Sequence, residues 1–223
     1  MLGLVLVLFT ILFAVFGPML VSHRYDEQTL AFASTPPILT VYQLGEKEYY
    51  VTAAGKLVVI EDGRMGDTIR YKKDDGKKKR YVYELDGATY YLNYRNSPAT
   101  LEDAEGNTLR GRGVWNRTYL LGTDALGRDV LVRLMYGARI SLTVAFVATL
   151  VTLLIGILYG SVSGYLGGMV DTVMMRVVDI ISSIPLTMYV ILIMVLFGNG
   201  GLMSIIIALG SVYWVDMARV VRG

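Results

Sequence analysis

The chain has 223 residues, a net charge of +2 and 54% hydrophobic residues, with a mean hydropathy of +0.49. It is too apolar for a soluble domain, and the apolar residues fall in blocks, so the class is integral membrane. A near-balanced charge sets nucleic acid aside, and zero cysteines with a single histidine, His23, exclude disulfides, thiolate sites and a histidine-built metal centre.

Residues 1–21 are apolar and uncharged over about the twenty residues that a helix needs to cross hydrocarbon, and read as transmembrane helix 1. A signal peptide fits less well, because a basic n-region is missing and Gly17-Pro18-Met19-Leu20 offers no small-x-small cleavage site. The missing basic tail suggests numbering that begins inside a longer chain. His23 reads as a polar residue at the lipid interface.

Residues 22–118 change to mixed charge, Gly, Asp and Tyr. Thr35-Pro36-Pro37 blocks helix and marks a linker. Short β-like runs follow at 49–52, 57–60, 68–72, 81–85 and 89–94, each bounded by turn chemistry. The best local signal is a hairpin in which Tyr81, Tyr83 and Leu85 alternate with Val82 and Glu84, Asp86-Gly87 turns, and Tyr90, Leu92 and Tyr94 alternate on the return. Another turn is expected at Lys73-Asp74-Asp75-Gly76, with Lys77-Lys78-Lys79-Arg80 as a solvated hairpin tip. The tyrosines read as half-buried faces of a small sheet, with a ligand platform for peptides or sugars as the alternative. The Asn116-Arg117-Thr118 glycosylation pattern is too short to carry weight.

Residues 119–139 join a polar loop to an amphipathic helix. Gly122 and Gly127 permit a compact turn, Asp124 suits a helix cap, and Arg128 and Asp129 suit pairing or burial against neighbouring loops. Arg133 and Arg139 need not share a face and suit snorkelling to headgroups. Residues 140–163 read as transmembrane helix 2, with Gly156 and Gly160 placed for close helix packing. A connection at 164–179 carries Asp171, Arg176 and Asp179, of which only Arg176 and Asp179 share a face well. Transmembrane helix 3 at 180–197 contains Pro185, expected to kink or break it, with Ser182 and Ser183 able to satisfy the freed carbonyls. Gly198-Asn199-Gly200-Gly201 reads as a tight turn, and 202–217 as transmembrane helix 4 with Trp214 as an interface anchor. Placing Arg219 and Arg222 in the cytosol puts the 164–179 connection there too and leaves 22–139 outside.

Nucleotide-binding G-x-x-x-x-G-K-[ST], H-E-x-x-H and G-x-S-x-G motifs are all absent from the sequence. Acid pairs at Glu61-Asp62 and Glu102-Asp103 lie in turn-like strings, where solvated charge is the default. No catalytic, cofactor-binding or metal-ligating residue is therefore assigned, and an enzyme reading is set aside.

The string Gly122-Thr123-Asp124-Ala125-Leu126-Gly127-Arg128-Asp129-Val130-Leu131, with Arg133-Leu134-Met135-Tyr136-Gly137-Ala138-Arg139-Ile140-Ser141-Leu142 after it, closely resembles the signature of peptide/nickel-type ABC importer permeases. Similarity continues through Gly164-Tyr165-Leu166-Gly167-Gly168, Asp171, Arg176, Asp179, Pro185, Trp214 and 218–223, and back to Gly17-Pro18. It covers 1 to about 37 and 119–223. The signature residues are Gly122, Thr123, Asp124, Gly127, Arg128, Asp129, Arg133, Gly137 and Arg139.

The resemblance implies a membrane all-α fold, the transmembrane domain of a type I ABC importer with four of the expected six spans. Where the family has a short connection, this chain would insert a small extracytoplasmic β-rich domain at about 45–113. Arg219, Arg222 and Gly223 would begin the cytosolic coupling loop, which the family continues into two more spans, so a truncated chain is expected. Function would be ATP-driven import of dipeptides or oligopeptides, with nickel left open, by alternating access across the cytoplasmic (inner) membrane of a bacterium. The implied partners are a second permease, two cytosolic ATPases that hold the ATP and Mg, and an extracellular or periplasmic substrate-binding protein. The alternative is a membrane-anchored receptor or sensor whose β domain binds a ligand.

Overall fold

The computed structural model describes residues 1–95, 99–197 and 201–223. They form two compact units, Met1–Gly137 and Ala138–Gly223.

The first unit opens with helix α1, Leu2–Phe16, which runs into a 3₁₀ turn, Gly17–Met19. Pro18 lacks an N–H, which the first turn of a helix leaves unpaired anyway, so the chain tightens there without losing a bond. A second 3₁₀ turn, Leu30–Phe32, precedes the prolines.

Among the described residues nine strands follow: β1 Ile38–Leu44, β2 Lys47–Val51, β3 Leu57–Glu61, β4 Arg64–Ile69, β5 Lys73–Asp75, β6 Arg80–Leu85, β7 Ala88–Asn93, β8 Thr100–Glu102 and β9 Arg112–Trp115. They make two antiparallel sheets, in orders β4-β3-β2-β1-β9 and β5-β6-β7-β8. Leu44, Tyr49 and Leu57 of the first sheet pack with Tyr83, Leu92 and Leu101 of the second. The opposite face of the first sheet buries Leu39, Val41, Tyr50, Val58 and Ile60 with Phe32 against them. Successive side chains point to opposite faces, so neighbours such as Tyr49 and Tyr50 serve different cores. Burial pushes the Tyr83 phenol up to about 12.

The Asp86-Gly87 hairpin forms as expected, with Leu85 paired to Ala88 and positive φ at both turn residues. Three expectations shift. The run expected at 68–72 is a strand four residues earlier, Arg64–Ile69, because Asp62-Gly63 makes a second turn of this kind, pairing Glu61 with Arg64. Lys73–Asp75 is strand, and the turn falls after it, so the lysine run still forms an exposed tip. The β region exceeds the expected 45–113 at both ends, because Ile38 pairs with Trp115 and Val41 with Arg112.

Helix α2, Val130–Leu166, has 37 residues and so measures about 55 Å. It begins in the first unit and continues through the second, where α3 Gly168–Ser182, α4 Leu186–Leu196 and α5 Leu202–Arg222 follow. The separate amphipathic helix and second span expected at 119–139 and 140–163 are thus one helix, since nothing between Val130 and Ile140 removes a backbone donor. The third span expected at 180–197 is not one helix either. α3 and α4 meet at 82°, and α4 alone covers about 16 Å against a hydrocarbon core of about 30 Å. Pro185 stands at the break and has no N–H to give to the helical ladder, and Ser183 Oγ donates to the Ile180 carbonyl at 2.9 Å just before it. Among the described residues three helices are long and apolar enough to cross a membrane, or four if the bent pair counts as one span. The expected turn at Gly198-Asn199-Gly200-Gly201 lies mostly outside the described residues.

Leu92 is fully buried between the sheets. Leu92→Ala is expected to destabilise the β region by about 2–5 kcal/mol. Hydrogen exchange should quicken in β1–β9 and stay unchanged in α2–α5.

Candidate functional site

The loop 119–129 is built around one carboxylate. Asp124 Oδ1 accepts the backbone N–H groups of Leu126 and Arg128 at 2.9 and 3.0 Å, and Oδ2 accepts Arg128 Nε at 2.8 Å. Arg133, one turn into α2, donates to the same Oδ2. Burial alone would raise the Asp124 carboxyl, but the Arg128 N–H and guanidinium outweigh it and bring it to about 2. Asp124 therefore organises a loop rather than capping a helix. The cap of α2 is Asp129, whose Oδ1 accepts Leu131 N–H at 2.9 Å and Val132 N–H at 3.3 Å.

Glycine is required twice here. Gly122 and Gly127 have φ of +75° and +72°, and a Cβ would collide with the carbonyl oxygens of Thr35 and Thr29 respectively. These contacts seat the loop on the segment before the prolines. Thr35 N–H donates to Thr123 Oγ1 and Thr123 N–H to the Thr35 carbonyl, both at 2.9 Å. Asn116 N–H donates to the Pro37 carbonyl at 2.9 Å, and its side chain to that of Pro36 at 3.3 Å.

His23 is not simply an interface residue. Its Nδ1 lies 3.2 Å from Asp129 Oδ2, to which it donates, and its ring stacks on Tyr119 at 4.9 Å. Asp129 is 3% exposed, so His23 serves the only oxygen that the cap leaves over. Nearby, a Cβ on Gly17 would lie 2.9 Å from Met135 Sδ, which sets the end of the first helix against the first turns of α2. Gly137 has open space at its Cβ position, and Arg139 follows it in α2.

In the second unit α2 and α5 run parallel. A Cβ on Gly156 would lie 2.6 Å from Met217 Cβ, one on Gly160 2.5 Å from the Ala218 carbonyl oxygen, and one on Gly164 3.0 Å from that of Arg222. Residues four apart share a helix face, so the three glycines make a groove that takes the last turns of α5. Asp171 accepts from Ser163 Oγ at 2.6 Å and from Arg222. Asp179 accepts from Arg219 at 3.1 Å, and Arg219 also donates to Ser182 Oγ at 2.9 Å. The arginine partners of both acids are thus on α5, at Arg222 and Arg219, rather than at Arg176. Arg219 and Arg222 are helical residues of α5, and Gly223 caps it. Trp214 Nε1 donates to the Ser211 carbonyl at 2.9 Å, with the ring 4.8 Å from that of Tyr159. Towards their N-terminal ends α2 and α5 leave a groove of about 760 Å³. Ile140, Val144, Leu202, Ile205 and Leu209 give it apolar walls, and Ser141, Thr149, Thr152 and Tyr213 add hydroxyl-bearing side chains. Among the described residues no group of three His, Asp or Glu side chains could hold a metal ion.

Residues 1–37 match the family described as the N-terminal TM domain of oligopeptide transport permease C. That match stops one residue before β1. The chain is 43% identical over 126 residues to the oligopeptide transport system permease protein OppC of Haemophilus influenzae, covering 56% of this chain and 40% of the relative. It is 54% identical over 102 residues to the dipeptide transport system permease protein DppC of Bacillus subtilis, covering 46% and 32%. With OppC of Escherichia coli (strain K12) it shares 53% over 105 residues, covering 47% and 34%. Over these parts the chain is similar to peptide transport permeases. It spans less than half the length of these relatives.

Within the chain, most site contacts are invisible to local pattern. Asp124 and Arg133 are nine residues apart, Asp171 and Arg222 fifty-one, and His23 and Asp129 one hundred and six. The unbroken acid–glycine–arginine spacing of 124–129 was the only readable cue, and it placed the cap five residues early.

Asp124→Asn removes the charge that these donors share and is expected to cost about 1–3 kcal/mol at neutral pH. Because the folded carboxyl lies near 2 rather than 3.8, its contribution is complete above about pH 4 and lost as pH falls towards 2. Thermal unfolding in lipid discs should show that acid loss in the parent protein and a smaller one in the variant. Gly160→Leu should force α5 away from α2 and destabilise the second unit by about 1–3 kcal/mol, whereas Gly137→Leu, facing open space, should change stability by less than about 0.5 kcal/mol, both read as thermal unfolding in lipid discs.

Proposed function

We propose that the chain is a permease subunit of an ATP-driven ABC importer that moves dipeptides or oligopeptides across the cytoplasmic membrane of a bacterium by alternating access. The observation that carries this reading is the 43–54% identity to oligopeptide and dipeptide transport permeases, together with helices of membrane-crossing length. The chain's own part is mechanical. Gly156, Gly160 and Gly164 join α2 and α5 closely, while Asp171–Arg222 and Asp179–Arg219 fix the last turns of α5 against α3, so a push on α5 is shared by the helices packed against it.

In this reading α5 ends on the cytosolic side, where two ATPase subunits act, and the β sheets lie outside, where a substrate-binding protein docks. ATP and Mg are held by the ATPases. The groove between α2 and α5 contributes to the solute path with a second permease opposite. Its uncharged, hydroxyl-bearing lining suits a weakly held passing solute.

The test is affinity purification of the tagged protein from its native membrane, with uptake of a labelled tripeptide by the same cells. Co-recovery of a second permease and an ATPase, with uptake lost on deletion of the gene, is the expected result. Recovery without either partner and unchanged uptake after deletion would reject the reading.

A further inference from the structure

The β region contains a cleft that the transport reading leaves without a role. It has a volume of about 780 Å³ and is lined by Thr40 and Tyr42 of β1, Tyr50 of β2, Thr52 and Ala54 of the following turn, and Tyr81 and Tyr94 from the second sheet. A volume of this size falls within the range of about 300–1,000 Å³ usual for small-molecule sites.

The walls are fixed before any ligand arrives. Tyr81 is held between the rings of Tyr71 and Tyr94, with centroids at 4.5 and 4.7 Å. Tyr94 Oη donates to Asp74 at 3.1 Å, and Tyr50 is buried in the first sheet. Rings locked this way lose little freedom on binding, which favours affinity from a modest contact area.

No charged side chain is among the described lining residues. A short peptide with free termini would therefore bring a carboxylate that no described lining side chain pairs, and its desolvation costs free energy. The lining instead alternates aromatic surface with neutral hydroxyls. A sugar ring has that same make-up, with apolar C–H faces that lie on aromatic rings and hydroxyls that exchange hydrogen bonds with Thr and Tyr.

We propose that this cleft binds a short uncharged saccharide, making the inserted β region a carbohydrate-binding module carried by the permease. The proposal is independent of what the membrane helices transport.

The full chain in lipid discs is titrated by calorimetry and saturation-transfer NMR with maltotriose, cellotriose and tri-N-acetylchitotriose, and with trialanine as the zwitterionic comparison. At least one trisaccharide should bind saturably and trialanine should not. Ala54 is exposed in the turn at the cleft, so Ala54→Trp fills the space from the rim and should abolish binding with the circular dichroism unchanged. Tyr42→Phe, which removes one hydroxyl and no packing, should weaken binding about five-fold, and it decides the matter if Ala54→Trp fails to fold. Binding of none of the three saccharides, binding that survives both substitutions, or trialanine binding that Ala54→Trp abolishes would each overturn the proposal.

Discussion

The exchange between Thr35 and Thr123 is the constraint on which the first unit depends. Each residue gives its backbone N–H to the other, one to a side-chain oxygen and one to a carbonyl, both at 2.9 Å. Buried main-chain donors must be satisfied, and here segments 88 residues apart satisfy each other. Gly122 and Gly127 lack side chains because the partner backbone occupies that space. The Asp124 loop then rests on a fixed floor, and Asp129 starts α2 from a defined point. Everything between Thr35 and Thr123 can vary as long as its two ends return to the same place. Asn116, held at Pro36 and Pro37, and the β1–β9 ladder bring them back.

The second unit solves a different problem. Apolar helices gain little from hydrophobic burial when the surroundings are equally apolar, so close approach and polar contacts must hold them together. The three glycines allow α5 to touch the backbone of α2, and the two acid–arginine contacts add direction at one end only. The same helices separate at their other ends, where the groove lies. One end of the pair is thus rigid and the other has room to change.

Local chemistry was legible in the sequence and distant chemistry was not. The Asp86-Gly87 hairpin, the apolar helices and the interruption at Pro185 each follow from a few adjacent residues. β9 was missed because its partner β1 lies more than seventy residues away, and β1, although it pairs with the adjacent β2, was missed because Pro36-Pro37 makes the approach to it look like linker. β4 was displaced because Arg64-Met65-Gly66-Asp67 has little strand character and depends on the turn at Asp62-Gly63. In the site, glycine positions and charge spacing announced a compact structured loop. The partners could not be read, since His23, Arg219 and Arg222 reach their acids from other elements. The kink or break expected at Pro185 stands as an 82° corner, with Ser183 Oγ donating to the Ile180 carbonyl just before it.

The pairing of β1 with β9 also bears on how such a chain acquires and keeps extra length. Once Ile38 and Trp115 lie side by side, the connection from α1 to α2 behaves like a short loop, however many residues lie beyond the seam. Loop-closure entropy rises only as the logarithm of length, about 0.6 kcal/mol per doubling, and the ladder offsets that with its own bonds. The seam is therefore a natural point of exchange: whole modules can be gained, swapped or shed there over evolutionary time while the helices on either side keep the same ends to join.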